Sequence, residues 1–221
     1  FKIKDTEFII KLVDGKATYK ESPDFLVIGE NEIVVDYVSD NAKYKAASAS
    51  AKFQVMDGII TNATYANYFD KDGNLFDYVP EGATLDFTGS IINPDSSIIR
   101  HMNVNKPVNI VSTTKDAYVD LNTIAGSLMG ESPGNSFAIT NGGYGTNVTG
   151  ITFHNTQLWI SNTTNVVLDN VSSVVENQKV GSGVGTVSVR DNSSYVTVKN
   201  SYFYIIGNPS HLVGFHVRLQ Q

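Results

Sequence analysis

A short strand pattern returns at intervals through the second half of the chain, and it constrains the fold more than any other feature. Apolar and polar residues alternate over a few positions in each copy. The copies start at Phe137, Leu158, Val187 and Phe215, which lie 21, 29 and 28 residues apart. Alternation with a period of two indicates strands, and a strand repeated at such intervals indicates a solenoid of stacked coils. We therefore predict parallel strands that pair between coils about 4.8 Å apart.

A second strand of the same kind recurs inside these units, and an Asn closes each copy. The segments that we align are 151–155, 166–170 and 196–200. This alignment stacks the outward side chains of His154, Asp169 and Lys199 in one column. Such a column could bind a polar ligand, but we favour a solvated face of mixed charge. The closing Asn residues are expected where the chain turns a corner, because Asn side chains bond readily to nearby backbone.

Charge density falls along the chain, and the fall marks a domain boundary. Residues 1–56 hold 8 Lys and 9 Asp or Glu, whereas residues 121–221 hold 4 basic and 4 acidic residues. Short alternating segments separated by turns, of which Glu32–Tyr37 is the strongest, predict a β-sandwich in the first part. We therefore divide this all-β chain into a sandwich segment at 1–56, a junction at 57–97 and solenoid coils at 98–221.

Three segments of the first part carry a family resemblance. Gly15–Tyr19, Gly29–Tyr37 and Ala47–Val55 resemble strands of the immunoglobulin-like repeats of large bacterial and archaeal surface proteins. The resemblance implies an Ig-like β-sandwich. Because such repeats have further strands before these, the sandwich in residues 1–56 is expected to be partial.

The second part resembles the β-helix regions of archaeal adhesin-like proteins, the large surface proteins of methane-producing archaea. The match lies in Asn105–Ile110, Asn147–Phe153 and Asn165–Asn170. It implies a right-handed parallel β-helix that continues beyond the chain end, an extracellular cell-surface location, and an adhesive or structural role. The implied partners are cell-wall or surface polysaccharide, other surface proteins, or copies of the chain itself. The resemblance implies no cofactor.

Composition excludes several classes of function. The chain has no cysteine, so thiol nucleophiles and cysteine-ligated zinc are excluded. The net charge is −6 and no basic cluster occurs, which argues against nucleic acid as a partner. The longest stretch without charged residues, 132–168, is rich in Gly, Asn and Thr, so we expect no membrane span.

Parallel β-helices also house polysaccharide lyases and hydrolases, so catalysis needs separate consideration. Glycoside hydrolysis usually requires two carboxylates flanking one bond. The carboxylates after residue 120 are Glu131, Asp169, Glu176 and Asp191, and our alignment brings no two of them together on adjacent coils. We therefore expect no enzyme and no catalytic residues.

One segment of the junction resembles a calcium-binding loop. Asp70, Asp72 and Asn74 have the loop's spacing, and Glu81 stands at its twelfth position. Leu75, however, occupies the position that requires Gly. We favour a plain turn and expect no metal site.

Exposed aromatic residues are the candidate binding residues. Trp159, Tyr202 and Tyr204 fall at outward positions of their strands, where a ring could stack on a sugar. For Trp159 we favour a different arrangement, in which the segment 174–186 folds over the ring, because large apolar groups are usually covered. The five glycosylation sequons begin at Asn62, Asn147, Asn162, Asn170 and Asn192.

We expect a non-catalytic adhesin-like or structural surface protein. Two alternatives stay open. One is a carbohydrate-binding or carbohydrate-cleaving β-helix, which a cleft with two carboxylates or an exposed aromatic strip would favour. The other is a self-assembling filament or sheath subunit, in which the exposed strand edges of the last coil pair with another copy.

Overall fold

The structure is a computed structural model in which the chain divides into two units, Phe1–Asp57 and Gly58–Gln221. The described residues are 1–3, 6–20, 26–38, 42–43, 45–92, 102–121, 136–176, 185–206 and 213–217.

The described part of the first unit forms one antiparallel sheet with strand order β2-β1-β3-β4. The strands are β1 (Lys2–Ile3), β2 (Thr6–Glu7), β3 (Gly29–Tyr37) and β4 (Ala47–Val55). β3 and β4 pair along their whole length, from Gly29 opposite Val55 to Tyr37 opposite Ala47. The predicted turn at Asp14 and Gly15 is confirmed, because both have positive φ and Val13 pairs with Lys16 around them.

The predicted strand at Lys16–Tyr19 is wrong beyond its first residue. Lys16 makes the isolated bridge to Val13, and residues 17–20 lie outside any strand. Thr18 and Lys20 are exposed while Ala17 and Tyr19 are half-buried. The alternating pattern that predicted a strand is therefore present, but without a strand partner alternation alone does not create a sheet.

In the described part of the second unit the strands form three parallel sheets, and a short helix, Tyr65–Asn67, precedes β6. Sheet 1 contains β5 (Ile59–Ile60), β6 (Thr84–Phe87), β9 (Asn109–Val111), β12 (Asn147–Thr149), β15 (Val167–Asp169) and β18 (Thr197–Lys199). Sheet 2 contains β7 (Ser90–Ile92), β10 (Tyr118–Asp120), β13 (Thr152–His154), β16 (Ser172–Glu176) and β19 (Tyr202–Ile206). Sheet 3 contains β8 (Met102–Val104), β11 (Ser136–Ile139), β14 (Gln157–Ser161), β17 (Gly185–Arg190) and β20 (Val213–Val217).

From β6 onward the chain visits sheets 1, 2 and 3 in that order, five times, so each round is one coil. The predicted repeat is confirmed in sheet 3, where Phe137 pairs with Leu158, Leu158 with Val187, and Val187 with Phe215. The inward residues of all three sheets form the core. In sheet 1 these include Ile110, Val148 and Leu168, which are fully buried.

The second predicted alignment is wrong in its first member. Val167–Asp169 pairs with Thr197–Lys199 as expected, but the strand on its other side is Asn147–Thr149. Thr152–His154 belongs to sheet 2 instead. The error has a physical cause. Gly150, with φ of 75°, turns the corner so tightly that two strands of equal pattern follow each other within eight residues.

The corner between sheets 1 and 2 explains why Asn recurs after strands. Gly89, Gly150, Asn170 and Asn200 occupy it in four of the coils, with φ between 52° and 75°. Gly and Asn adopt this left-handed conformation at least cost. The predicted corner roles of Asn170 and Asn200 are therefore confirmed, and Gly150 takes the place that we expected for Asn155.

Candidate functional site

The outer face of sheet 2 holds the largest set of predicted site residues. In a parallel sheet, residues in register form columns that cross the strands at about 4.8 Å per step. One column contains Tyr118, Thr152, Ser172 and Tyr202. The next contains Asp120, His154, Val174 and Tyr204.

Two of the three predicted binding aromatics meet on this face. Tyr202 is 68% exposed and Tyr204 is 49% exposed, and they lie two residues apart on β19. Alternate residues of a strand point to the same side, so both rings and the 46% exposed Ile206 form one apolar strip. Ser172, opposite Tyr202, adds a hydroxyl group beside the first ring.

A polar cluster that the sequence did not predict lies on the same face, on the strands two and three coils before β19. Nδ1 of His154 is 2.9 Å from Oδ2 of Asp120, and both side chains are 18% exposed. The ring of Tyr118 stacks on the imidazole, with 5.3 Å between ring centroids. The predicted alignment pairs His154 with Asp169 and therefore does not reveal this cluster. The alternation in Tyr118-Val119-Asp120, which matches that in Thr152-Phe153-His154, was the signal that could have found it.

The other two residues of the predicted column, Asp169 and Lys199, lie on sheet 1. Nζ of Lys199 is 3.2 Å from Oδ2 of Asp169, and the side-chain amide of Asn200 donates to Oδ1 at 2.9 Å. The pKa of the Asp169 carboxyl is lowered mainly by the hydrogen bond from Asn200. The hydrogen bond from Lys199 and the positive charge of Lys199 lower it further. The predicted column of three residues is thus a pair on one sheet and a residue on another.

Trp159 is not available as a sugar-stacking residue. Only 3% of it is exposed, and the guanidinium of Arg190 lies 4.4 Å from its ring centroid. Its neighbours on the outer face of sheet 3, Ala138 and Ser188, are buried as well. Trp159 is thus covered, as the favoured arrangement requires, whereas Asn103 and Arg190 on the same outer face are half-buried. Of the predicted covering segment, residues 177–184 lie outside the described residues.

The sequons differ in accessibility. The side-chain amide of Asn147 donates to Oδ1 of Asn109 at 3.0 Å across sheet 1, and Asn147 is half-buried. This bond occupies the nitrogen that glycosylation would modify. The exposed sequon residues are Asn62, Asn162, Asn170 and Asn192.

The calcium-like segment forms a turn. Oδ1 of Asp70 accepts hydrogen bonds from the backbone N–H groups of Asp72 and Asn74, at 2.8 and 2.9 Å. The Asn74 side-chain oxygen accepts from Asn103 at 2.6 Å. Within the part of the chain that the structure describes, no three His, Asp or Glu side chains are placed to hold a metal ion.

Long connections concentrate at one corner of the coils. The strands of sheet 2 are joined to those of sheet 3 through residues 93–101, 121–135, 177–184 and 207–212, and only the third coil makes this connection in two residues, 155–156. The column of Asp120, His154, Val174 and Tyr204 lies near that corner.

Comparison with protein-family models, with curated proteins and with solved structures finds no match. Among the described residues, no helix has the length and apolar character needed to cross a membrane. The function must therefore be inferred from the chain's own surface.

Proposed function

We propose that the chain is part of an extracellular, adhesin-like surface protein without catalytic activity. In this proposal the second unit is a right-handed parallel β-helix that presents its lateral surface to other molecules, and the first unit is an Ig-like stalk segment. The cyclic order of the three parallel sheets supports the β-helix, since a coil of this kind brings each strand beside its equivalent one turn later. The partner is a surface polysaccharide, another surface protein or a second copy.

The exposed pair Tyr202 and Tyr204 is the observation that carries the proposal. Large apolar side chains in a solenoid normally point inward. In contrast, most of Tyr202 and about half of Tyr204 are exposed to water. Tyrosine combines a broad apolar face with a hydroxyl group, so it suits surfaces that bind sugars or proteins. The hydroxyl groups of Ser172 and Thr152 continue the column beyond Tyr202 and offer hydrogen bonds to the same ligand.

We expect the double variant Tyr202→Ala/Tyr204→Ala to bind purified cell-wall polymer or glycan-array ligands at least about tenfold more weakly than the wild type. Loss of two stacking rings removes contact area without opening the core. The measurement is a glycan array followed by sedimentation with purified wall.

Ile92→Ala is the matched control, because Ile92 is 45% exposed on the far strand of the same sheet. It should bind like the wild type. Fluorescence of Trp159, which is the single tryptophan and is buried, reports whether each variant is folded. Equal binding by the double variant and the wild type would contradict the proposed role of this face.

A carbohydrate-cleaving protein is the second candidate, and the pair of Asp120 and His154 favours it. A carboxylate that orients an imidazole is a common arrangement around a general base. On our proposal the wild type releases no new reducing ends from any polysaccharide in the array. If it does, and if Asp120→Asn lowers the rate about 100-fold or more, the chain is an enzyme and the proposal of a non-catalytic protein is wrong.

A further inference from the structure

The corner between sheets 3 and 1 repeats one backbone conformation in three successive coils. Gly145, Asn165 and Tyr195 have φ of 73°, 59° and 54°. They are in register, because the N–H of Gly145 donates to the carbonyl of Thr164 at 2.9 Å, and the N–H of Asn165 donates to that of Ser194 at 3.1 Å. These three coils thus share a left-handed residue at the same point.

Tyr195 is the residue least suited to this position. Gly has no Cβ to clash and Asn is tolerated, whereas an aromatic side chain strains the backbone when φ is positive. Packing does not compensate for the strain, since 80% of Tyr195 is exposed. A strained residue that buries almost nothing is better explained by contacts with another molecule than by the fold.

A second exposed ring lies on the same corner. Tyr144, 51% exposed, directly precedes Gly145, so it stands two coils from the row of Tyr195. Two steps of the solenoid separate those rows by about 10 Å along the axis. Between the two tyrosines lie Thr164 and the exposed Asn165, which offer a hydroxyl and an amide and carry no charge.

We propose that this corner strip, formed by Tyr144, Thr164, Asn165 and Tyr195, binds a neutral polysaccharide chain that runs along the solenoid axis. The C–H faces of sugar rings stack on tyrosine, and sugar hydroxyls exchange hydrogen bonds with amides and hydroxyls. A chain that contacts both rings gains from two linked contacts, while a single sugar gains from one. The strip lies in the connections from sheet 3 to sheet 1 and includes no residue of sheet 2, so it is separate from the surface of Tyr202 and Tyr204.

The test uses the full chain, produced in a host without N-glycosylation because Asn162 and Asn192 are sequons at this corner. Affinity electrophoresis in soluble glucan, mannan, xylan and galactan measures binding, with polygalacturonate as the charged comparison. We expect Tyr195→Asn to raise the melting temperature by about 2 °C by relieving strain, and to weaken binding at least about tenfold. Tyr144→Ala should weaken binding to a similar degree.

Ile92→Ala is the control, because Ile92 is 45% exposed on sheet 2 and belongs to neither proposed surface, so it should bind like the wild type. The proposal is overturned if the wild type binds none of the neutral polymers, if it binds only polygalacturonate, or if both corner variants bind like the wild type. A fall in the melting temperature of Tyr195→Asn would also overturn it, because the ring would then serve the fold.

Discussion

Substitution of Gly142 by alanine is expected to destabilise the second unit by about 3 kcal/mol, a large part of the roughly 5–15 kcal/mol that stabilises a typical folded chain. A Cβ at this position would lie 2.3 Å from the carbonyl oxygen of Asn105 in the preceding coil. That oxygen belongs to backbone, so it cannot move aside without disturbing the adjacent strands β8 and β9. The positive φ of 90° adds about 1 kcal/mol of strain.

Gly145→Ala is the matched control for this prediction. Gly145 lies three residues later in the same connection, with φ of 73°, but nothing lies within 4 Å of its added Cβ. Gly145→Ala should therefore lower the free energy of unfolding by only about 1 kcal/mol, the cost of placing alanine at a positive φ. Urea unfolding followed by the fluorescence of Trp159 measures both variants. Equal destabilisation would show that backbone conformation alone, and not the close approach of coils, requires glycine at residue 142.

Lys106→Met is expected to cost about 2–3 kcal/mol, because a charged donor is removed from three backbone oxygens. Nζ of Lys106 lies 2.9 Å from the carbonyl oxygen of Phe76, 3.1 Å from that of Val79 and 3.4 Å from that of Asp77. The ammonium group thereby ties the loop before β6 to the connection between β8 and β9. Methionine keeps most of the side-chain volume but leaves these oxygens without their donor.

The control for Lys106 is Lys71→Met. The Lys71 side chain is 87% exposed, and its ion pair with Asp72 lies in solvent, so the expected change is within about 0.5 kcal/mol. Urea unfolding gives the stability of both variants, and hydrogen exchange at Val79, whose N–H donates to Phe76, reports on the loop. If the two variants proved equally stable and hydrogen exchange at Val79 did not change, the contacts between Lys106 and the three carbonyl oxygens would have no stabilising role.

Lys106 also illustrates what a motif in the sequence leaves open. Asn105-Lys106-Pro107 is part of the segment that carries the family resemblance, but the motif does not indicate which groups the lysine contacts. Its three acceptors lie 27 to 30 residues earlier, in the loop before β6. Contacts over such distances depend on the number of residues in each connection, which the local pattern does not reveal.

Local patterns by themselves determined the all-β character, the corner positions of Asn170 and Asn200, and the register of sheet 3. The reason is that alternation and φ preference are properties of a few neighbouring residues. The repeat of sheet 3 is visible in the sequence because its strands are strongly apolar, as in Phe137–Ile139 and Leu158–Ile160.

Tertiary structure alone decided the pairing of strands with equal patterns and the accessibility of outward side chains. Asn147–Thr149 and Thr152–His154 have the same alternation, and only the tight corner at Gly150 assigns them to different sheets. That assignment brought His154 to Asp120 instead of Asp169. Likewise, alternation places Trp159, Tyr202 and Tyr204 on outer faces, but burial depends on what covers each sheet, and only the two tyrosines remain exposed.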